Sequence, residues 1–207
     1  MAVVEATRPS SHESSDTTVE ARAAAALLTC IARYGLAKTT LDDVAREAGC
    51  SRATLYRYFD SKHDLVRRTT AGELARITST AVAAAHEGTN FADAVVAAVV
   101  TAARELASHA ALRFLLEHEP AAVLAHLAFA PGDRVLTEVG DALSPALNGW
   151  LGEADAIRAG DWIARVLRSY VLMPEPTVDL TDAREARAFL SDFVIPGLAA
   201  PTPVESR

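Results

Sequence analysis

The sequence predicts an all-α protein in two parts, a small N-terminal head built on a helix-turn-helix and a larger helical body, about nine helices in total. Three observations carry this expectation. Half of the 207 residues are hydrophobic but only 6% are aromatic, and alanine is abundant. Such a composition favours close-packed helices over sheet, since β-branched and aromatic clusters are scarce outside a few valine pairs. Apolar residues recur at spacings of three and four along most of the chain. Finally, residues 40–59, TLDDVAREAGCSRATLYRYF, read as two short helices joined by a tight turn.

Residues 1–16 are polar, rich in serine and contain Pro9, so a disordered arm is expected there. The first helix is predicted over 17–34, with Val19, Ala23, Leu27, Ile31 and Tyr34 on its apolar stripe and Gly35 at its end. In the stretch that follows, Leu41, Val44, Ala45 and Ala48 lie at i, i+3, i+4 and i+7, on one face. Thr40 with Asp43 three residues on forms a capping-box pattern. Gly49 supplies a left-handed turn residue, Ser51 a second N-cap, and Leu55 and Phe59 the next buried pair. The small Ala45 lets two helices cross steeply after so short a turn. This spacing is that of a helix-turn-helix, whose second helix lies in the DNA major groove. Three helices are the smallest unit that buries all these faces.

Ser61 and Asp64 predict the start of a fourth helix that runs to about residue 87 through Leu65, Leu74, Ile77 and Val82, where Gly88-Thr89-Asn90 stops it. Helices are then expected over 91–108, 110–118 and 120–129, the last opening on Pro120. Pro131-Gly132 is expected to punctuate, and a segment over 133–150 follows with Pro145 inside it. The helix over 153–172 carries a polar stripe of Arg158, Asp161, Arg165 and Arg168 and is apolar elsewhere, so it needs neighbours on more than one side. Pro174 and Pro176 end it. The closing helix is predicted over 181–194, with a tail from 200. The domains read as an arm 1–16, a DNA-binding head 17–64, a helical body 65–199, to which the resemblance given below assigns ligand binding and dimerisation, and a tail 200–207.

The net charge of −7 argues against a wholly basic nucleic-acid binder, but the charge is uneven. Residues 1–68 hold ten Lys/Arg against nine Asp/Glu, a net of +1, which leaves −8 for the remainder. A near-neutral head with local basic side chains on an acidic body suits a DNA reader attached to something else. Cys30 and Cys50 have no metal-ligand spacing between them; reduced thiols in a cytoplasmic protein are expected, Cys30 in the helical packing and Cys50 in the turn, with buried structural thiols the default over a redox switch. There is no apolar signal core at the N-terminus. The longest uncharged apolar run, 94–103, falls short of the ~18 residues that a bilayer crossing needs, so no membrane association is expected. No H-E-x-x-H, G-x-S-x-G, G-x-G-x-x-G or P-loop occurs. Neither a metal nor a cofactor is expected, and an all-helical enzyme is disfavoured for want of a catalytic constellation.

The pattern around Gly35, Thr40, Asp43-Val44-Ala45, Ala48-Gly49, Ser51, Thr54-Leu55-Tyr56, Tyr58-Phe59, Ser61-Lys62 and Leu65 resembles the N-terminal domain of TetR-family transcriptional regulators. The closing run SYVLMPEPTVDLTD and FLSDFVIPGL looks like the last two helices of many actinobacterial members. The middle, 69–150, resembles the family only in being helical. The resemblance implies a homodimeric repressor whose two recognition helices enter successive major grooves of a double-stranded palindromic operator. It also implies a small-molecule effector, largely apolar, that binds in the body and releases DNA. Control by a protein partner, or activation in place of repression, are the alternatives within DNA binding.

Candidate DNA contacts are Thr40 and Ser51 at helix N-termini, where backbone N–H groups favour phosphate or are simply capped. Arg52, Ala53 and Thr54 open the recognition helix. Arg52 is a candidate guanine reader or a phosphate contact, and Arg57 points out of the same helix and does either. The resemblance makes Tyr56 a phosphate partner; Tyr58 contacts DNA or packs on the head; Lys62 is expected on a phosphate. Candidate ligand contacts, chosen as polar or aromatic residues of the middle helices, are Arg104, His109, Phe114, His118, Phe129 and Trp150. The dimer interface implied by the resemblance is a four-helix contact through Ile157, Ile163, Leu167, Tyr170, Ala186, Leu190 and Phe193.

Overall fold

The computed structural model describes the backbone of residues 11–127, 129–172 and 178–199, and the side chains of 19–125, 135–172 and 178–198. Every regular element among the described residues is helical. The chain divides into two compact units, Met1–Ala71 and Gly72–Arg207, further along than the boundary expected after residue 64.

The first unit holds α1 (Ser11–Tyr34), α2 (Leu41–Glu47), α3 (Arg52–Tyr58) and the beginning of α4 (Lys62–His86). Helix α1 starts at Ser11, inside the segment expected to be a disordered arm; residues 1–10 of that arm lie outside the described residues. Ala23, Leu27 and Ile31 are buried as their spacing predicts, but Tyr34 is 51% exposed at the last turn, where the chain leaves the helix. Gly35 ends α1 at φ +83, a conformation that costs glycine little. Around the buried face of α1 stand Val44, Ala45 and Ala48 of α2, Leu55 and Phe59 at α3, and Leu65 and Val66 of α4, together with the Cys30 side chain. Burial pushes the Cys30 thiol above its usual pKa, so it stays protonated and inert.

The second unit continues α4 and adds α5 (Phe91–Ser108), α6 (Ala110–His118), α7 (Pro120–Leu127), α8 (Phe129–Leu147) and α9 (Glu153–Leu172). It closes with α10 (Ala183–Phe189), a π-helical turn over Leu190–Val194, and α11 (Ile195–Ala199). Helix α5 is the hub, with Ala94, Val95, Val96, Ala98, Val99, Val100 and Ala102 all buried. It packs on α6, α8, α9 and α10, which is why its sequence is apolar nearly all round.

Two prolines lie within helical backbone in this part of the chain. Pro131, expected with Gly132 to punctuate the chain, lies within helical backbone, in α8. Pro145 lies inside α8, where it cannot donate to the Asp141 carbonyl. The Ser144 hydroxyl donates to that carbonyl instead, at 3.1 Å. The closing helix also survives a proline. The Ile195 N–H reaches back five residues to the Leu190 carbonyl, and this widened turn precedes Pro196, whose ring would otherwise press on the carbonyl four residues earlier. The expected stops at Pro174 and Pro176 and the tail from 200 lie outside the described residues.

Four of the residues expected at a dimer interface are instead inside the subunit. Ile163, Leu167, Ala186 and Leu190 belong to the core of the second unit, because α9 and α10 turn these faces towards α5 and α8 and leave them no surface to give a partner. Tyr170 is half-buried and packs edge-on against Phe189 at 5.9 Å. Ile157 and Phe193 are exposed, as is Trp162, which is 58% accessible on α9.

Candidate nucleic-acid interface

The first unit builds a reading surface from two seven-residue helices and the turn between them. At the start of α2 the Thr40 hydroxyl accepts the Asp43 N–H at 3.2 Å, and the Asp43 carboxylate accepts the Thr40 N–H at 3.0 Å. Both halves of the capping box are therefore made. The Thr40 hydroxyl also donates to the Asp43 carboxylate, at 2.5 Å, and this bond with that from the Thr40 N–H, and a lesser contribution from Arg46, holds the Asp43 carboxyl below its usual pKa of 3.8. A lowered folded-state pKa adds stability above the ordinary carboxylate range, and this is lost as pH falls through the folded value. Asp43→Asn is expected to unfold more easily than the parent at neutral pH, and the gap should close in an acid titration of the denaturation midpoint. A gap that stays constant below pH ~3 would show that the carboxylate charge is not what matters.

Gly49 makes the turn at φ +62, and the Cys50 N–H closes it on the Ala45 carbonyl at 2.9 Å. Ser51 then caps α3, its hydroxyl accepting the Thr54 N–H at 3.0 Å and lying 2.8 Å from the Thr54 hydroxyl. Leu55 is the one side chain of α3 buried completely, and Phe59 follows at the C-cap. With those two facing inward, Arg52, Ala53, Tyr56 and Arg57 are exposed and Thr54 and Tyr58 are half-buried. Arg52, Ala53, Tyr56 and Arg57 thus make up the exposed face of α3.

The basic side chains are not extended into solvent. The Arg52 guanidinium bonds Asp42 across the turn and the Tyr56 hydroxyl on its own helix, each at 3.2 Å. Arg57 donates to the Tyr58 hydroxyl at 3.2 Å and lies over its ring. Lys62 is half-buried, and its ammonium donates to the Leu36 carbonyl at 2.5 Å. Its charge is placed at the loop leading into α2, which differs from a lysine reaching outward.

Two further arginines position the site, and residue spacing alone did not single them out. Arg22 of α1 donates to the Ala48 carbonyl at 3.1 and 2.8 Å and to that of Gly49 at 3.4 Å. A cation at the C-terminus of α2 satisfies orphan carbonyls and complements the dipole. Arg68 of α4 donates to the Tyr58 carbonyl at 2.8 Å and to Glu20 of α1 at 2.6 Å, with its guanidinium over the Phe59 ring. Each arginine ties one short helix of the motif to a longer one. The pairs lie 10 to 48 residues apart, so no local pattern reveals them.

Two of the six residues expected around a ligand bond to other parts of the second unit. Arg104 donates to the Thr181 carbonyl at 2.8 Å. His109 caps α6 by accepting the Leu112 N–H on Nδ1, with Nε2 3.5 Å from Glu73. Glu73 also bonds Arg76, which bonds Glu105, so the histidine closes a polar chain along α4, α5 and the start of α6. Phe114 and His118 are brought together, stacked at 4.3 Å. Trp150 is exposed in the turn after α8, and the Phe129 side chain lies outside the described residues. Among the described residues no three His, Cys, Asp or Glu group together as metal ligands, and no single helix is long and apolar enough to cross a membrane.

Comparison with known proteins places this geometry. The family model of bacterial regulatory proteins, tetR family, matches residues 23–69, which cover the second half of α1, all of α2 and α3, and the start of α4. Two curated HTH-type transcriptional regulators, from two strains of Mycobacterium tuberculosis, are each 28% identical to the chain over 159 residues, 75% of this chain and 73% of theirs. Among solved structures, the TetR family repressor AlkX of a Dietzia species, implicated in biodegradation of n-alkanes, superposes with a TM-score of 0.67. It is 20% identical over 86% of this chain and 94% of its own. The fatty acid degradation regulator FadR of Bacillus halodurans has a TM-score of 0.61 at 17% identity, over 92% and 99% of the two chains. At these identities the structural likeness is one of fold.

Proposed function

We propose that this chain, a transcriptional regulator of the TetR family, acts in the cytoplasm as a homodimeric repressor released from its operator by a small molecule. The observation that carries the reading is the face of α3, where Arg52, Ala53, Tyr56 and Arg57 point outward over the anchor Leu55. Two such helices, about 34–36 Å apart, would meet successive major grooves of a palindromic site. A second copy is supported by Ile157 and Trp162 on α9 and Phe193 beyond α10, three large apolar side chains left exposed on the closing helices. An effector of largely apolar character suits a second unit whose interior is built from Val, Leu, Ile and Ala. The head's near-neutral charge leaves affinity to a few placed side chains and to the pairing of two heads.

Selection of random duplex DNA with the full-length protein tests the reading. A recovered palindrome with half-sites one helical turn apart supports it, and recovery of no preferred sequence overturns it. Light scattering at micromolar concentration is expected to report a dimer. Arg52→Ala is expected to lose about 1–3 kcal/mol of discrimination at one base pair of the recovered site. A loss equal on all duplexes would make Arg52 a phosphate contact.

A further inference from the structure

We propose that Asp42 is a specificity-determining residue that acts through Arg52, holding its guanidinium for a base edge and against capture by phosphate. The inference rests on the reading above, in which the exposed face of α3 meets DNA. All three carboxylates of α2 are paired, Asp43 with Arg46, Glu47 with Arg33, and Asp42 with Arg52. Only the last pair joins α2 to α3. Arg52 Nη1 lies 3.2 Å from Asp42 Oδ2, Nη2 lies 3.2 Å from Tyr56 Oη, and Cζ stands 5.4 Å from the centre of the Tyr56 ring. The guanidinium is thus fixed at two edges and one face although more than half of the side chain is in solvent. Both contacts raise the arginine pKa further, the Tyr56 bond more than the Asp42 charge.

An exposed ion pair of this kind adds little to stability, so its consequence lies in what it does to the arginine. Of the five guanidinium N–H donors, two are engaged and three remain, enough for a bidentate contact. The Asp42 charge also separates the two targets that Arg52 can take. A phosphate carries full negative charge and is repelled by the carboxylate wherever it sits. The N7 and O6 of guanine are neutral acceptors and meet far less opposition. A carboxylate at this position therefore taxes binding to every sequence while sparing the correct base contact, and discrimination between sites rises.

The test compares the parent with Asp42→Asn, Asp42→Glu, Arg52→Ala and the double variant Asp42→Asn/Arg52→Ala. Each is titrated against the duplex recovered by selection and a scrambled duplex of equal length. Asp42→Asn is expected to bind the scrambled duplex tighter and to lower the ratio of the two affinities by about two- to fivefold, the span of an exposed ion pair. Asp42→Glu is expected to restore part of the ratio. With Arg52→Ala already present, Asp42→Asn is expected to leave the ratio unchanged. A carboxylate that merely stabilises the first turn of α2 would shift the melting temperature and not the ratio. If Arg52→Ala loses discrimination while Asp42→Asn keeps the parent ratio, the inference fails and the DNA reading stands. If Arg52→Ala keeps full discrimination, base reading by Arg52 falls and the inference with it.

Discussion

Leu55→Ala is expected to abolish specific DNA binding while the second unit stays folded. Leu55 is fully buried, and α3 has seven residues with no other side chain buried as deeply. Truncating a leucine in such a place costs about 2.7–5 kcal/mol, since the cavity adds to the lost transfer energy. A whole domain is stable by only about 5–15 kcal/mol, so a head of three helices loses much of what holds it. The chain offers a clean readout. Its two tryptophans, Trp150 and Trp162, both belong to the second unit. Tryptophan fluorescence therefore reports that unit, while far-ultraviolet circular dichroism reports all the helices. In urea, Leu55→Ala should show an early loss of part of the helical signal with the fluorescence transition left in place. Parent-like operator affinity in this variant would mean that α3 is held by something other than its buried leucine.

The second large effect belongs to the crossing of α8 and α9. A Cβ built on Gly160 would stand 2.5 Å from the Gly140 carbonyl oxygen and 2.9 Å from its Cα, and one on Gly140 would meet the Asp161 N at 3.0 Å. The atoms in the way are backbone, so no side chain can turn aside and the two helices must part. Alanine gains about 1 kcal/mol over glycine inside a helix. Forcing extra volume into a packed core costs about 1–3 kcal/mol and sometimes more, so Gly160→Ala is expected to lose stability despite its better propensity. Gly160→Val, with a branched side chain, should lose more. Here the tryptophan transition moves and the head's share of the helical signal does not. A stabilised Gly160→Ala would show that the helices stand further apart than 2.5 Å to that oxygen allows.

What was legible in the sequence is what chemistry decides within a few residues. Thr40 with Asp43, Ser51 with Thr54, and the turn glycines Gly35 and Gly49 do what their spacing implies, because a cap or a positive φ needs only near neighbours. The buried face of the head followed from the same periodicity. The closing helices were harder to read. A helix apolar around most of its girth gives no angle by which to tell core from surface, so Ile163 and Leu167, which are core, read the same as Ile157, which is exposed. Pro131 does not interrupt the chain, because a proline's effect depends on its place in a helix, and local pattern does not give that place. The candidate ligand residues were chosen by side-chain type, and type does not encode direction. Arg104 and His109 turned out to serve a carbonyl and a helix cap. Tertiary partners such as Arg22 and Arg68 leave no trace in local pattern at all.

Those two arginines have a consequence for how the reading surface opens. Helices of seven residues do not persist alone in water, because nucleation costs more than so few turns return. With the end of α2 tied to Arg22 of α1, and the end of α3 tied through Arg68 to Glu20 of α1, neither short helix can fray independently of the long one. Local opening of the recognition helix then requires loss of the α1 contacts, so the amide protons of α2 and α3 exchange with solvent in the same event as those of the α1 core. The proposed reading surface then has no separate lifetime; it is expected to exist for as long as the whole head is closed, and to disappear as one cooperative unit.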